Sequence, residues 1–283
     1  MLSKEFNKNV KKVLISYKKD AQEAYNAAVY ISNVFESRNI KTVVRPSMDI
    51  ATADLKDTGL VIVLGGDGTL LITFGKIFLL EVPIIGIDFG KLGFLVEISD
   101  NDKVKAIENF FDGTLKFSER ITLDIVIMKI GGGAIDYIAL NEVVIAREQS
   151  IHAKIINIKV FINDIWLNDY RLDGLIVSTP TGSTAYSLAA GGPIVYPDLE
   201  AIIITPICPH MLSNRPVIIN SNEVLKVKFT PQDSRLFISV DGRDGVRLED
   251  GDEVIVKKRP VKFYLAESVS MSYWDILRTK LKW

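Results

Sequence analysis

The chain has 283 residues, of which 48% are hydrophobic and 24% charged, and its formal net charge is −1 at pH 7. This supplies enough apolar material for one large folded domain or two of ordinary size. Because acidic and basic residues nearly balance, neither nucleic acid nor an anionic membrane is expected as a partner. The single cysteine, Cys208, excludes an intramolecular disulfide, and with two histidines a zinc site would need several carboxylates.

Targeting signals are not expected either. Residues 1–6 are too polar for the apolar part of a signal peptide, and no apolar run reaches the roughly 18 to 20 residues that span a bilayer. These features and the lone cysteine predict a cytoplasmic location.

The chain begins with an alternation of predicted strands and helices. Residues 13–15 predict a strand, and Asp20 with Glu23 resembles a capping box that opens a helix. Residues 43–44 predict a second strand. The apolar face of the helix between them, at helical spacing, consists of Ala24, Ala27, Ala28, Ile31, Val34 and Phe35.

The next predicted strand runs into a glycine turn. Residues 60–64, Leu-Val-Ile-Val-Leu, predict a strand buried on both faces, followed at once by Gly65-Gly66-Asp67-Gly68-Thr69 and a helical segment near residues 72–80. Such a turn lets backbone amides approach a phosphate at a helix start. A carboxylate repels phosphate unless it holds a metal ion or accepts a proton from the attacking nucleophile, so Asp67 predicts phosphoryl transfer.

A second buried strand, residues 83–88, also ends in a glycine turn, and a helix is predicted over residues 102–110. Strand, helix and strand in repetition indicate a parallel sheet with ligands beyond the carboxyl ends of its strands. The prediction for residues 1–115 is an α/β domain of Rossmann-like type.

The pattern then changes to short alternating strands. Ile121, Leu123, Ile125 and Ile127 alternate with Thr122, Asp124, Val126 and Met128, and Gly131-Gly132-Gly133 supplies a hairpin turn. Similar strands continue to about residue 265, which predicts an all-β domain, a β-sandwich, over residues 116–265. Residues 266–283 predict a C-terminal helix that packs back on the body.

Two polar stretches of the second half are candidate ligand contacts. A strand leads into the hydroxyl-rich residues 178–183 and a short helix near Thr184, where hydroxyls and free amides suit ribose or phosphate, although an ordinary loop has the same composition. Asn141 and Glu142 lie between strand-like segments. Their amide and carboxylate suit a base or sugar edge, and an exposed polar strand end is the alternative.

Taken together, these stretches resemble the NAD kinases, which transfer a phosphate to the 2′-hydroxyl of the adenosine ribose of NAD and so produce NADP. The resemblance covers nearly the whole chain. Its motifs are Gly65-Gly66-Asp67-Gly68-Thr69, Gly90-Lys91-Leu92-Gly93-Phe94-Leu95, Asn141-Glu142, Asp173-Gly174, Ser178 to Tyr186, Gly191-Gly192-Pro193, Thr205 to His210 and Arg215-Pro216.

The resemblance implies roles for individual residues. Asp67 becomes the general base, with Gly68 beside it, while Asn141 and Glu142 grip the nucleotide and Asp173 contacts the dinucleotide. No residue is implied as a metal ligand. The other implied binding residues are His152, Arg171, Thr184, Ala185, Tyr186, Ser187, Leu188, Ala189 and Arg243, the last standing where some relatives have glutamine.

The resemblance also implies the small molecules and the assembly. The substrates are NAD and either ATP or polyphosphate, the cofactor is a divalent metal ion such as Mg²⁺, and the protein is a homodimer or homotetramer in which one subunit's β domain lies near another's site. Two alternatives remain open. One is a lipid kinase of the diacylglycerol or sphingosine type, which shares the glycine turn, and the other is a non-catalytic NAD sensor.

Overall fold

The computed structural model describes residue 6 and residues 10–90, 93–147, 155–229, 236–243 and 245–283. The chain separates into two compact units. Unit 1 comprises Met1–Glu119 and Phe263–Trp283, and unit 2 comprises Arg120–Lys262. Unit 1 is therefore built from both ends of the chain, while the domain limits at residues 115 and 265 stay predictions.

The strands are numbered in chain order. They are β1 (Lys12–Tyr17), β2 (Lys41–Pro46), β3 (Leu60–Leu64), β4 (Pro83–Asp88), β5 (Ile98–Ser99), β6 (Phe117–Arg120), β7 (Leu123–Met128), β8 (Ala134–Ala139), β9 (Glu142–Arg147), β10 (Ile156–Ile162), β11 (Ile165–Leu172), β12 (Gly174–Ser178), β13 (Ala201–Ile207), β14 (Val217–Asn220), β15 (Leu225–Phe229), β16 (Leu236–Val240), β17 (Arg247–Leu248), β18 (Glu253–Lys258) and β19 (Phe263–Ala266).

The helices are numbered in the same way. They are α1 (Gln22–Glu36), α2 (Thr52–Leu55), α3 (Asp67–Ile77), α4 (Lys103–Phe111), α5 (Tyr186–Ala189) and α6 (Tyr273–Leu281), with short 3₁₀ turns at Ser47–Asp49, Asp100–Asp102 and Thr181–Thr184. None of the helices within the described residues combines the length and the apolar character needed to cross a membrane.

Unit 1 is a mostly parallel sheet with helices, which confirms the predicted α/β class. Its strand order is β2-β1-β3-β4-β19-β6, with β5 beside β4, and the neighbours from β2 to β19 are parallel. All five residues of β3 are buried, as a central strand covered on both faces requires. Helix α1 buries the predicted apolar face, and its Phe35 packs against Phe110 of α4 with ring centroids 6.2 Å apart.

Two local predictions for unit 1 are wrong. Asp20 does not cap α1, because its backbone is left-handed (φ 62°) and Ala21 takes the N-cap position without a side-chain hydrogen bond. Helix α3 begins at Asp67, earlier than the predicted residue 72, because Gly66 already serves as its N-cap. The functional turn is therefore continuous with the helix.

Unit 2 consists of two six-stranded antiparallel sheets, which confirms the predicted β-sandwich. The orders are β11-β10-β15-β18-β7-β8 and β14-β13-β12-β9-β16-β17. The strands alternate inward and outward residues, and the inward ones from both sheets form a single core that includes Ile125, Ile145, Ile158, Val177 and Val227.

The predicted C-terminal helix is present as α6. Ser272 caps it by accepting a hydrogen bond from the Asp275 amide at 3.3 Å, and Ile276 and Leu277 are its buried residues. Trp274 of the same helix is 54% exposed. Burial therefore rests on Ile276 and Leu277.

Candidate active site

The glycine turn lies at the carboxyl edge of the parallel sheet in unit 1. Gly65 follows β3 with φ 146°, a conformation that favours glycine, and its amide donates to the Ile87 carbonyl of β4 at 2.9 Å. Gly66 is the N-cap of α3 and Asp67 its first residue. The amides of Asp67 and Gly68, for which the described residues supply no carbonyl partner, therefore open at the edge where parallel sheets bind ligands.

The Asp67 carboxylate is fixed by three backbone amides of the loop before β5. Phe94 donates to Oδ2 at 2.9 Å, while Leu95 and Val96 donate to Oδ1 at 3.1 and 3.0 Å. A carboxylate has about four lone-pair positions, so among the described residues Oδ2 keeps capacity for a further donor. The arrangement holds the carboxylate in one orientation with an acceptor position still available.

Gly93 is required by the same carboxylate. A Cβ atom on Gly93 would lie 1.8 Å from Asp67 Oδ1 and 2.4 Å from Asp67 Cγ, closer than any real contact. Any side chain at residue 93 would therefore displace Asp67. The sequence indicated that Gly93 belongs to a glycine turn, but it did not reveal that the Asp67 carboxylate occupies the space of a side chain at this position.

Two pockets of unit 1 flank Gly66, and Lys18 lines both of them. The larger, about 460 Å³, lies beside α1 and includes Asp88 and Gly90. The smaller, about 370 Å³, includes Lys19, Gly68 and Thr69. Two cationic side chains and the start of α3 therefore surround space that suits phosphate groups.

Asp88, at the end of β4, is a second carboxylate beside the turn. It is buried, its Oδ1 accepts the Gly90 amide at 2.8 Å, and its carboxylate lines the larger pocket. Within the described residues, no three His, Cys, Asp or Glu side chains converge as a set that could hold a metal ion.

In unit 2, Asn141 and Glu142 stand at the beginning of β9, and a buried carboxylate holds their backbone. Asp241 accepts the amide of Leu140 at 2.9 Å, of Asn141 at 2.8 Å and of Glu142 at 3.1 Å. Asp241, like Asp67, accepts hydrogen bonds from three backbone amides. These bonds hold the start of β9 in one position.

Four buried side-chain atoms near the start of β9 lack a hydrogen-bond partner among the described residues. They are Asn141 Oδ1, Glu142 Oε2, Ser178 Oγ and Thr181 Oγ1. Glu142 and Ser178 face each other in the β9–β12 register, and the Thr179 amide bonds the Asn141 carbonyl at 2.9 Å. An unsatisfied buried polar group costs about 1–3 kcal/mol. Four of them together indicate a site that a polar ligand completes.

Electrostatics distinguishes the two acidic residues at this site. Burial, and after it the neighbouring Asp241 carboxylate, raises the pKa of Glu142 to about 8. Burial also raises the pKa of Asp241, but its three amide donors and the Arg243 guanidinium act in the opposite direction. Near neutral pH, Glu142 is therefore the member of the pair that carries a proton.

The implied binding residues 184–189 lie in the adjoining segment, and their side chains have different environments. Thr184 ends the 3₁₀ turn and its hydroxyl donates to the Thr181 carbonyl at 3.3 Å. Tyr186 is 47% exposed and offers a ring face, whereas Ser187 is buried and bonded to Thr205 at 2.9 Å. The remaining three, Ala185, Leu188 and Ala189, lie on or beside α5 with partial or full exposure.

The other predicted residues of unit 2 lie at the opposite end of β12. Asp173 precedes Gly174 and forms an ion pair with Arg147, 3.1 Å from Nε to Oδ1. Arg171 has an exposed side chain, and its carbonyl accepts the His210 amide at 2.8 Å. Along β12 this end is about 14 Å from Ser178.

Arg243 and His152 are the remaining predicted residues of this half of the chain. Arg243 lies with the first group, since its Nη2 is 3.6 Å from Asp241 Oδ2. His152 lies outside the described residues. The predicted residues of unit 2 thus form two groups, one around Asn141 and Glu142 and one around Asp173.

Five residues at these places were not predicted as site residues. Ser178 and Thr181 belonged to the hydroxyl-rich loop, so their composition was a usable signal. Lys18 follows β1 and Asp88 ends β4, both at the carboxyl edge of the parallel sheet where ligands collect. Asp241 follows β16 of an antiparallel sheet, about a hundred residues along the chain from the amides that it holds.

A carboxylate held in a glycine turn at the start of a helix, together with buried polar atoms of a β-sandwich that lack partners among the described residues, fits a phosphotransferase that acts on nucleotides. Two family models match the chain: the ATP-NAD kinase N-terminal domain over residues 6–115 and the ATP-NAD kinase C-terminal domain over residues 140–268. The chain belongs to the NAD kinase family.

Individual relatives of known family also show this membership. The chain is 41% identical to the NAD kinase of Syntrophotalea carbinolica over 224 residues, which is 79% of this chain and 78% of the relative. It is 38% identical to the NAD kinase of Citrifermentans bemidjiense over 262 residues, 92% of this chain and 90% of the relative.

Solved structures show the same fold. Yeast NADH kinase, crystallised with NADH, matches with a TM-score of 0.84 at 28% identity, covering 95% of this chain and 86% of that one. An NAD kinase from Archaeoglobus fulgidus, in complex with ATP, matches with a TM-score of 0.72 at 22% identity, covering 96% and 97%.

Proposed function

We propose that this member of the NAD kinase family transfers a phosphoryl group from ATP to the 2′-hydroxyl of the adenosine ribose of NAD, giving NADP, with Asp67 as the general base. Family membership over both halves of the chain favours this activity over the lipid kinase alternative. The observation that carries the residue assignment is the oriented Asp67 carboxylate in the glycine turn.

The chemistry requires a base because a ribose hydroxyl is a poor nucleophile near neutral pH. Asp67 would accept the hydroxyl proton as the bond to phosphorus forms, a contribution of about 10²- to 10⁴-fold in rate. Three amide donors hold the Asp67 carboxylate in place, so little reorganisation is needed when the hydroxyl arrives.

NAD recognition is proposed for the unsatisfied polar atoms of unit 2. Asn141, Glu142, Ser178 and Thr181 would bond the base and ribose edges that the dinucleotide presents, and the exposed ring of Tyr186 offers a stacking surface. A bound nucleotide would supply the partners that these buried atoms lack in the described part of the chain.

The donor phosphates are proposed to bind at the start of α3. Lys18 and Lys19 would neutralise their charge while amides of the glycine turn donate hydrogen bonds. Phosphoryl transfer depends chiefly on such positioning and charge neutralisation.

A divalent ion fits this pocket. Mg²⁺ is usually held by one or two carboxylates together with substrate phosphates, and Asp88 offers a buried carboxylate that lines the pocket beside Gly66. When bound there, Mg²⁺ would neutralise charge on the phosphates. Asp88 would hold it, while Asp67 remains assigned to the proton.

The assignment of Asp67 is tested with Asp67→Asn, which keeps the shape and removes the base. NADP formation from ATP and NAD should fall about 10²- to 10⁴-fold, while calorimetry still detects NAD binding. The matched control is Asp112→Asn, an exposed carboxylate at the end of α4, which should keep full activity. Undiminished NADP formation by Asp67→Asn would overturn the assignment.

The choice of phosphate donor and acceptor is tested with the same assay. We expect NADP from ATP and NAD, and parallel reactions with polyphosphate and with NADH establish the donor and acceptor range. Tight NAD binding without any NADP would instead support the non-catalytic sensor. A cytoplasmic location stays a prediction from the sequence.

A further inference from the structure

Asp241 has no role in the nucleotide chemistry described above, yet it directly contacts the backbone of two proposed binding residues, Asn141 and Glu142. It follows β16, is 6% exposed, and its carboxylate accepts the consecutive amides of Leu140, Asn141 and Glu142. The Asp241 amide in turn donates to the Glu142 carbonyl at 3.0 Å. Asp241 and the start of β9 are therefore held together by four hydrogen bonds.

A second carboxyl group, that of Glu142, is buried at the same place. Glu142 is also 6% exposed, and charges of like sign in a buried place cannot both be retained without donors. On the β16 side Glu142 lies beside Asp241, which has the Arg243 guanidinium next to it, and on the β12 side it lies opposite Ser178, whose hydroxyl does not titrate in this range.

The donors at this place are distributed unequally. Three amides donate to the Asp241 carboxylate, and the Arg243 guanidinium lies 3.6 Å from it, whereas in the described part of the chain no donor bonds the buried Oε2 of Glu142. Hydrogen bonds to a carboxylate favour its ionised form. The negative charge therefore resides on Asp241, and Glu142 retains the proton.

We propose that Asp241 is a positioning residue for nucleotide binding: it fixes the backbone of Asn141 and Glu142 and makes Glu142 meet the nucleotide as a carboxylic acid that donates a hydrogen bond. This inference rests on the proposed function. A protonated carboxyl group has one O–H donor, so the nucleotide atom that it meets is an acceptor, such as a ring nitrogen or a ribose oxygen.

The inference is tested by calorimetry of NAD binding, without a phosphate donor, between about pH 6.5 and 9.5, a range in which Glu142 titrates. For the unmodified protein, affinity should fall up to about tenfold per pH unit above about pH 8, because the binding form loses its proton. Glu142→Gln, whose amide also donates, should bind within about fivefold of the unmodified protein at pH 7 and show no alkaline fall.

Asp241→Asn separates positioning from a merely structural role. Removing the charge beside Glu142 should lower the pKa of Glu142, so the alkaline fall in affinity moves to lower pH, while loss of an acceptor weakens binding at every pH. The double variant with Glu142→Gln should lose the pH dependence altogether. Should Asp241→Asn not fold, the comparison of Glu142→Gln with the unmodified protein still tests whether Glu142 binds the nucleotide in its protonated form.

Infrared spectroscopy gives a second readout on the full chain. At pH 7 the carbonyl band of a protonated carboxyl group should be present, vanish in Glu142→Gln and persist in Glu249→Gln, an exposed control in unit 2. The inference is overturned by pH-independent NAD binding, by absence of the band, or by a loss of about 100-fold or more in Glu142→Gln at pH 7. Failure to bind NAD at any pH would instead overturn the proposed function itself.

Discussion

At the scale of single residues, the buried carboxyl group of Glu142 should leave a signature in stability. Its pKa is raised to about 8, so between its usual pKa near 4.5 and pH 8 the folded protein keeps a proton that the unfolded chain releases. Stability from this group is therefore full below about pH 4.5 and is lost as pH rises through the window.

Glu142→Gln removes that dependence. The free energy of unfolding of the variant, minus that of the unmodified protein, should grow by up to about 1.4 kcal/mol per pH unit within the window and level off above it. Urea unfolding at several pH values measures the difference, and Glu249→Gln should show no such trend. A difference that stays constant with pH would contradict the raised pKa.

A second residue-scale prediction concerns Gly93. Gly93→Ala places a Cβ atom 1.8 Å from Asp67 Oδ1, so the carboxylate must leave its three amide donors. NADP formation should fall by an amount comparable to that in Asp67→Asn, about 10²-fold or more. Gly131→Ala is the matched control, because nothing lies within 4 Å of its Cβ position. Full activity in Gly93→Ala would show that Asp67 acts from another position.

The sequence was informative about residues whose chemistry is local. Asp67 was predicted because a carboxylate among glycines is chemically unusual within five consecutive residues. Asp241 was not predicted because its meaning depends on amides brought to it by the β9–β16 pairing, and Ser178 required the register that sets it opposite Glu142.

At the scale of secondary-structure elements, β1 and α3 are joined by a buried chain of hydroxyls. Ser16 of β1 and Thr73 of α3 are fully buried, and their oxygens are 2.7 Å apart. Thr73 also donates to the Thr69 carbonyl in the first part of the helix at 2.9 Å. The helix that carries Asp67 is thereby tied to the sheet through polar contacts.

Thr73→Val keeps the shape of the side chain and leaves the Ser16 hydroxyl without its partner. The variant should lose about 1–3 kcal/mol of stability, and adding Ser16→Ala should cost less than the sum of the two single changes. Denaturant unfolding of the four proteins in this cycle measures the coupling. Thr114→Val, at an exposed position, is the control, and strict additivity would show that the two hydroxyls do not depend on each other.

In both units the strands could be predicted from the sequence, because the pattern of apolar residues reveals how many faces of a strand are buried. The run at residues 60–64 reads as a doubly covered strand and β7 as a half-covered one, because apolar continuity and alternation are visible without the fold. The predicted capping box at Asp20 was wrong because the backbone of Asp20 is left-handed (φ 62°). Asp tolerates this conformation as well as the N-cap conformation, so the residue type alone does not distinguish the two.

At the scale of the whole molecule, the two groups of predicted residues in unit 2 bear on assembly. Asn141 and Glu142 lie at one end of the sheet and Asp173 at the other, about 14 Å along β12. We propose a homodimer or homotetramer in which Asp173 of one chain serves the nucleotide held by Asn141 and Glu142 of another.

Complementation tests this arrangement. Asn141→Ala and Asp173→Ala should each be inactive alone, but their co-expressed mixture should recover about a quarter of full activity, since half of the dimers are mixed and one of two sites in each is intact. Light scattering measures the assembly in parallel. No recovery from a mixture shown to contain mixed dimers would place each complete site within one chain, and a monomer in solution would exclude the assembly.

The position of β19 in the parallel sheet has a consequence for synthesis on the ribosome. Its neighbours β4 and β6 are complete by residue 120, but the strand between them is residues 263–266. At about 5–20 residues per second, roughly seven to thirty seconds of translation separate those events. During that interval residues 83–84 of β4 lack their partner strand, so a fragment ending near residue 120 should aggregate through this open edge.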